Sequence, residues 1–383
     1  MRIPHARIGV LNLNMAAMGG GEKRTLVMAE HLRHNAEVFL IAGAETDLPA
    51  LEKYFDVRLN GVRVIVAPAA PEGNREKALE SAIRELRLDL FINNSHASTV
   101  LNPAPGGIYM CMFPQRPSDR LSGAPNGSGM APPRRRRRRV EGTGFLDTYG
   151  RVTANSRFTR RWIWRRWGRR ADLVYSVCDS PGPPAQKDRL ILHVGRFMSE
   201  VAGGHHKRQD VLLGGFAGLA SLQASGWRMA FAGHLDPVPE AAAFLERLRA
   251  EACGLPVDFH VGADLPEMQD LYRRAAIYWH ATGFGFSEDR HPERQEHFGI
   301  TTVEAMSAEA VPVVIDSGGQ RETVAHGVNG YRWSRLEDLA AYTLRLANRP
   351  ALRSRMGAKA GLAADRFSRS RFRARLDRVI ARL

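Results

Sequence analysis

Twice along this chain, apolar runs of strand length alternate with turns and amphipathic helices, and the two series are separated by a proline-rich break at 178–188, "CDSPGPPAQKD". The first opens with "ARIGVLNLN", the turn "MGGGEKR" and a helix through about His34; "AEVFLIAGA", "VRVIVAP", "LDLFINN", "GGIYMCMFP" and "GRVTANS" follow, with helices over "REKALESAIRELR" and from Arg157. The second begins at "RLILHVGRF", continues through a helix over "DVLLGGFAGLASLQ", "WRMAFAG", a helix near 239–252, "VDFHVG", "AAIYWHAT", "VPVVID" and "NGYRW", and is helical from Leu336 onward. Strands that read as continuous apolar runs, each followed by a helix, predict α/β architecture with doubly wound parallel sheets covered on both faces. A chain of 383 residues is too long for one ordinary core, which fits two Rossmann-like domains. The expected division is an amino-terminal domain over 1–177, a hinge at 178–188, a carboxyl-terminal domain over 189–365, and a helix at 366–383 returning to the first domain. Ligands of such a pair are expected in a cleft beyond the carboxyl ends of the strands.

Residues 122–139, "SGAPNGSGMAPPRRRRRR", interrupt the first series and read as a flexible Gly/Pro/Arg surface loop. They belong to an uneven charge distribution: residues 1–180 hold 28 Lys and Arg against 17 Asp and Glu, and so carry +11 of the net +15. In the window 134–170, 14 arginines face only Glu141 and Asp147. Such a surface attracts phosphates, nucleic acid or anionic lipid without choosing among them. The stretch "RFTRRWIWRRWGRR" is a basic helix interleaved with tryptophans. Either it lies on anionic lipid, or Phe158, Trp162 and Ile163 pack inward while the arginines are solvated. The run Arg134 to Arg139 reads as solvated loop.

Several classes lose their support. Cys111, Cys178 and Cys253 form no CxxC and are odd in number, so neither a disulfide framework nor a zinc knuckle is indicated, and a reduced cytoplasmic setting fits. No apolar run has the length of a membrane span or a signal peptide, so any membrane contact is expected to be peripheral, on the inner face. GxGxxG and GxxxxGK[ST] are absent, which removes the main support for nicotinamide-cofactor and P-loop readings. No D-x-D occurs, so metal-independent chemistry is favoured and no cofactor is expected. His205 and His206 read as a loop pair, with no carboxylate or thiol close in sequence to complete a metal site.

"HVGRF", a lysine eleven residues after its arginine in "HHKRQDVLL", and "EHFGITTVEAMSAEAVPVVIDSGGQRETVAHGVNGYRW" together resemble the carboxyl-terminal domain of family 4 retaining glycosyltransferases (glycosyl transferases group 1) of the GT-B fold; "GGGEKRTLVMAEHL" and "TANSRFTRRWI" resemble its amino-terminal domain. The resemblance implies a hexosyltransferase using a UDP- or GDP-sugar, with a sugar or lipid-linked acceptor. It assigns Arg196 and Lys207 to the leaving diphosphate, Glu296 to the sugar and Glu304 to the nucleotide ribose. Phe298, Gly299, Ile300 and Thr301 fall with Glu304 in the donor-binding motif, where Gly299 and Ile300 would offer backbone N–H groups at a helix start. Gly19, Gly20 and Gly21 either let a backbone approach phosphate or sugar, or form a plain tight turn. Met112 stands before "FP", where close members of the family often carry histidine. His96, in "NNSHAS", is then the amino-domain imidazole left to meet the sugar, or else a satisfied loop histidine. Two other readings stand beside this one: a polyanion- or nucleic-acid-binding protein with a vestigial cleft, and a sugar-nucleotide epimerase. No nucleic-acid signature exists beyond charge.

Overall fold

The computed structural model describes residues 6–15, 19–69, 74–116, 140, 142–198 and 206–383. The loop at 122–139, with its run Arg134 to Arg139, lies outside the described residues, as does His205. The chain forms two compact units: residues 1–177 with 369–383, and residues 178–368.

In the first unit, β1 (Ala6–Asn12), β2 (Ala36–Ala42), β3 (Arg63–Val66), β4 (Leu90–Asn93), β5 (Gly106–Cys111), β6 (Arg151–Ala154) and β7 (Asp172–Leu173) make one sheet in the order β3-β2-β1-β4-β5-β6-β7. Every pairing is parallel. Parallel strands need helical crossovers that cover both faces, and Val10, Leu11, Phe39, Leu40 and Ile92 are accordingly fully buried. The terminal helix Arg369–Ile380 adds Phe372, Leu376 and Val379 to this unit's core. It is fixed there by Arg373 donating to Glu30 at 2.6 Å and by His31 against Asp377 at 2.7 Å.

The second unit repeats the plan with β8 (Leu190–Val194), β9 (Arg228–Gly233), β10 (Val257–Val261), β11 (Ile277–His280), β12 (Val311–Ile315) and β13 (Tyr331–Trp333), in the order β10-β9-β8-β11-β12-β13. The first strand of the unit thus lies in the middle, and strand order reverses between β8 and β11. Beyond the carboxyl ends of those two strands is the place where such sheets bind ligands. One sequence expectation is corrected here. The helix over 210–223 is two helices, Gln209–Ala217 and Ala220–Ala224. Leu219 leaves helical geometry (φ −105°, ψ 52°), and this bend lets Leu219 and Leu222 both enter the core.

Candidate active site

β8 ends at Val194, and Gly195 and Arg196 follow it at the switch point. Gly195 is glycine because its neighbours leave no room: a Cβ there would lie 2.9 Å from Lys207 Cγ and 3.1 Å from His193 Nε2. The Lys207 stem therefore packs over the strand end. Its Nζ reaches Glu296 Oε2 at 2.9 Å, with the two side chains 20% and 15% exposed. The same oxygen stands 3.2 Å from Nε2 of His280, the last residue of β11 and 1% exposed.

Glu296 is held by its backbone as well. Gly319 N–H donates to Glu296 O at 2.7 Å, and a Cβ on Gly318 (φ +56°) would sit 2.3 Å from that same oxygen. The "GG" of "DSGGQ" is thus required by close approach of two chain segments. Upstream, the buried Gln295 amide donates to Phe286 O and His291 O, folding the segment 286–295 onto itself. Glu288 accepts from Gly318 N–H at 3.0 Å and from Arg321 at 2.9 Å.

The helix Ile300–Ser307 begins directly after Gly299, whose φ of +95° is the left-handed region, and a Cβ there would meet the Gln320 amide at 2.7 Å. Thr301 accepts from Tyr278 OH at 2.7 Å. Glu304, one turn further on, accepts from Tyr272 OH at 3.1 Å, so its carboxylate is oriented by the helix Leu265–Arg274. The Phe298 ring is buried edge-on against Phe367, 5.1 Å between centroids, so that side chain belongs to the core and only its backbone can serve a ligand.

Arg196 behaves differently from Lys207. Its guanidinium, 42% exposed, pairs with Asp236 beyond β9 at 3.0 Å. It adjoins the Lys207 site through Gly195, but its salt bridge is with Asp236, which the sequence reading did not single out.

Beneath the site lie two buried imidazoles, also missed. His193 Nδ1 is 2.9 Å from Trp279 O, and its ring is 6.2 Å from that of His280. Burial pushes His193 down to about 3, with the neighbouring His280 adding to the effect. Burial also holds His280 below the usual histidine range, although the hydrogen bond to Glu296 opposes it. Both are therefore neutral near pH 7. The available signal was a histidine at or next to the end of each of two apolar strands, "LILHV" and "IYWH".

In the first unit, Gly19 caps the helix Gly20–Leu32, and its N–H donates to the Glu22 carboxylate at 2.8 Å. That buried carboxylate already fills the place an anionic ligand would seek at this helix start. A Cβ on Gly21 would lie 2.5 Å from Met112 Cε, so this glycine makes room for the methionine that stands before "FP". Asn94 further ties the turn by donating to Gly21 O at 3.0 Å. Gly19 and Gly21 thus each have a local structural contact. His96 is exposed in the turn after β4. On the helix Arg157–Trp167, Phe158, Trp162, Ile163 and Trp167 are buried, while Arg157, Arg160, Arg161, Arg165 and Trp164 form an exposed face.

Two parallel, doubly wound sheets of seven and six strands match the GT-B fold of solved glycosyltransferase structures. Residues 180–362, which lie within the second unit, match the family model of the glycosyl transferases group 1. Among solved structures, HepE of Anabaena in complex with UDP and glucose aligns with a TM-score of 0.73 at 15% identity, covering 99% of this chain and 100% of that one. The sucrose-phosphate synthase of Thermosynechococcus elongatus aligns with a TM-score of 0.69 at 13% identity, covering 98% of each chain. In sequence, 117 residues are 29% identical to the GDP-Man:Man(3)GlcNAc(2)-PP-Dol alpha-1,2-mannosyltransferase of Dictyostelium discoideum, a match spanning 30% of this chain and 21% of that protein.

Proposed function

We propose that this chain is a retaining, metal-independent glycosyltransferase that moves a hexose from a UDP- or GDP-sugar to an acceptor hydroxyl in polysaccharide, lipopolysaccharide or glycolipid synthesis. The observation that carries the proposal is the Lys207–Glu296 pair, 2.9 Å across, at the switch point of a glycosyl transferases group 1 domain. Charge grows on the diphosphate as the sugar departs, so the cations Lys207 and Arg196 stabilise the transition state more than the ground state. Glu296 and Glu304 accept hydrogen bonds from sugar and ribose hydroxyls, bonds roughly twice as strong as neutral ones. In the step itself, the bond between the sugar C1 and the donor phosphate oxygen breaks and its electron pair leaves with the diphosphate. The acceptor oxygen bonds to C1 on the same face, and its proton passes to the departing phosphate oxygen.

HepE was solved with UDP and glucose, and the Dictyostelium relative is named for GDP-mannose and a dolichol-linked acceptor; these support both donor classes and a lipid-linked acceptor. Among the described residues no helix is long and apolar enough to cross a membrane; on this reading a lipid-linked acceptor is met by peripheral docking at the cytoplasmic face. The arginine face around Trp164, which is 65% exposed, favours such docking on anionic lipid. Thermal melting with UDP, GDP and duplex DNA tests the assignment. One of the diphosphates raises the midpoint and the duplex does not; protection by the duplex alone would support the polyanion-binding reading instead.

A further inference from the structure

His280 has no role in the chemistry just described, yet it touches the residue placed at the sugar. Its Nε2 lies 3.2 Å from Glu296 Oε2 and 3.3 Å from Thr282 Oγ1, while Nδ1 is buried without a hydrogen-bond partner. A carboxylate oxygen only accepts, so the nitrogen facing it carries the hydrogen, and the neutral Nε2–H tautomer follows. His193, on the adjacent strand, is fixed the opposite way, because the Trp279 carbonyl requires the hydrogen on Nδ1.

On the proposed reading Lys207 belongs at the diphosphate and Glu296 at the sugar hydroxyls, so the lysine, with three N–H donors to share, is a weak anchor for the carboxylate once the donor enters. The ring of His280 is rooted at the end of β11 and sealed from solvent, whereas Lys207 reaches Oε2 on a long, partly exposed stem. We infer that His280 is the positioning residue for Glu296: its Nε2–H holds Oε2 and keeps the carboxylate aimed while Lys207 turns to the diphosphate. A buried imidazole that orients a reacting group by one hydrogen bond resembles the outer-shell partners that orient metal ligands. This inference rests on the glycosyl-transfer reading.

The experiment compares the wild type with His280→Leu, which keeps bulk but donates nothing, and His280→Gln, whose amide nitrogen reaches towards the position of Nε2. Nucleoside-diphosphate release from a sugar nucleotide slows about 30- to 100-fold in His280→Leu, the scale of a misaimed reacting group. UDP or GDP affinity stays within about 3-fold, because the diphosphate is not what His280 orients, and His280→Gln regains about 10-fold in rate. Nitrogen-15 NMR of the histidine rings, with His280 assigned by its loss in His280→Gln, shows the Nε2–H tautomer at pH 7 whether or not a variant is active. A folded His280→Leu with undiminished turnover, a Gln variant no faster than a folded Leu variant, or an Nδ1–H or imidazolium signal would each overturn the inference and leave the transferase reading standing. A wild type that releases no diphosphate from any sugar nucleotide removes that reading, and the inference with it.

Discussion

Lys207 Nζ and Glu296 Oε2 are 2.9 Å apart although 89 residues separate them in sequence. The contact exists because β8 and β11 are adjacent at the reversal of strand order and because Gly195 lets the lysine stem lie flat on the strand end. Removing either partner leaves a partly buried charge without its mate. Lys207→Ala and Glu296→Ala are each expected to lower donor turnover about 100-fold or more. Because both are proposed to act on one substrate in one step, the double variant should be little worse than the poorer single one. Rates that multiply across the two substitutions would contradict a shared site.

Glu304 is expected to act in binding more than in turnover. Its carboxylate is oriented by Tyr272 OH at 3.1 Å, so Tyr272→Phe should reproduce part of the effect of Glu304→Gln. Losing a charge-assisted hydrogen bond costs about 1.5–3 kcal/mol, or roughly 10- to 150-fold in diphosphate affinity, with the smaller loss in Tyr272→Phe. Calorimetric titration with UDP and GDP measures both, and unchanged affinity in Glu304→Gln would remove its ribose role.

Gly318→Ala should damage stability and chemistry together. The residue has φ +56°, and its new Cβ would stand 2.3 Å from the Glu296 carbonyl oxygen, a backbone atom that cannot swing aside. Left-handed strain and a backbone clash together cost about 2–4 kcal/mol, and the shift falls on Glu296. A lowered melting midpoint with much reduced turnover is expected. Full activity at normal stability would show that the 296–298 and 317–319 segments do not lean on each other.

Acid lability follows from the two buried imidazoles. The pKa of His193 is lowered by burial from 6.5 to about 3, and that of His280 is lowered too. Between those limits the unfolded chain binds more protons than the folded one, so stability is whole above pH 6.5 and is lost as pH falls from there towards 3. The second unit's melting midpoint should drop steeply between pH 6.5 and 4.5, by an amount equivalent to several kcal/mol, and His193→Gln should flatten that slope. An unchanged slope in the variant would contradict the buried-neutral assignment.

The exposed face of the helix Arg157–Trp167 is tested by flotation with liposomes. Vesicles with anionic lipid should carry the protein upward, neutral vesicles should not, and Trp164→Ala with Arg160→Glu and Arg161→Glu should abolish the difference. Equal absence of binding to both kinds of vesicle would count against membrane docking.

Much of this was legible in the sequence because parallel strands buried on both faces read as continuous apolar runs. The runs "ARIGVLNLN", "RLILHVGRF" and "VPVVID" contain the strands Ala6–Asn12, Leu190–Val194 and Val311–Ile315. A local motif singled out Lys207, Glu296 and Glu304, and the structure brings the first two into contact. Partnerships were not legible. Nothing in the spacing of "HVGRF" says that Arg196 turns to Asp236, or that a histidine closing "IYWH" lies under Glu296. Those contacts arise from strand order, which apolar periodicity does not encode. At the amino-terminal glycines, likewise, the contacts of Glu22 with Gly19 and of Met112 with Gly21 are ones that the glycine run itself does not announce.

The most direct measurement is mass-detected release of nucleoside diphosphate from a panel of UDP- and GDP-sugars, with wild type and Glu296→Gln run side by side, with and without EDTA. The account predicts release of UDP or GDP from at least one donor by the wild type, unaffected by EDTA, and a loss of about 100-fold or more in Glu296→Gln. No release from any donor, or equal release by both proteins, would contradict it.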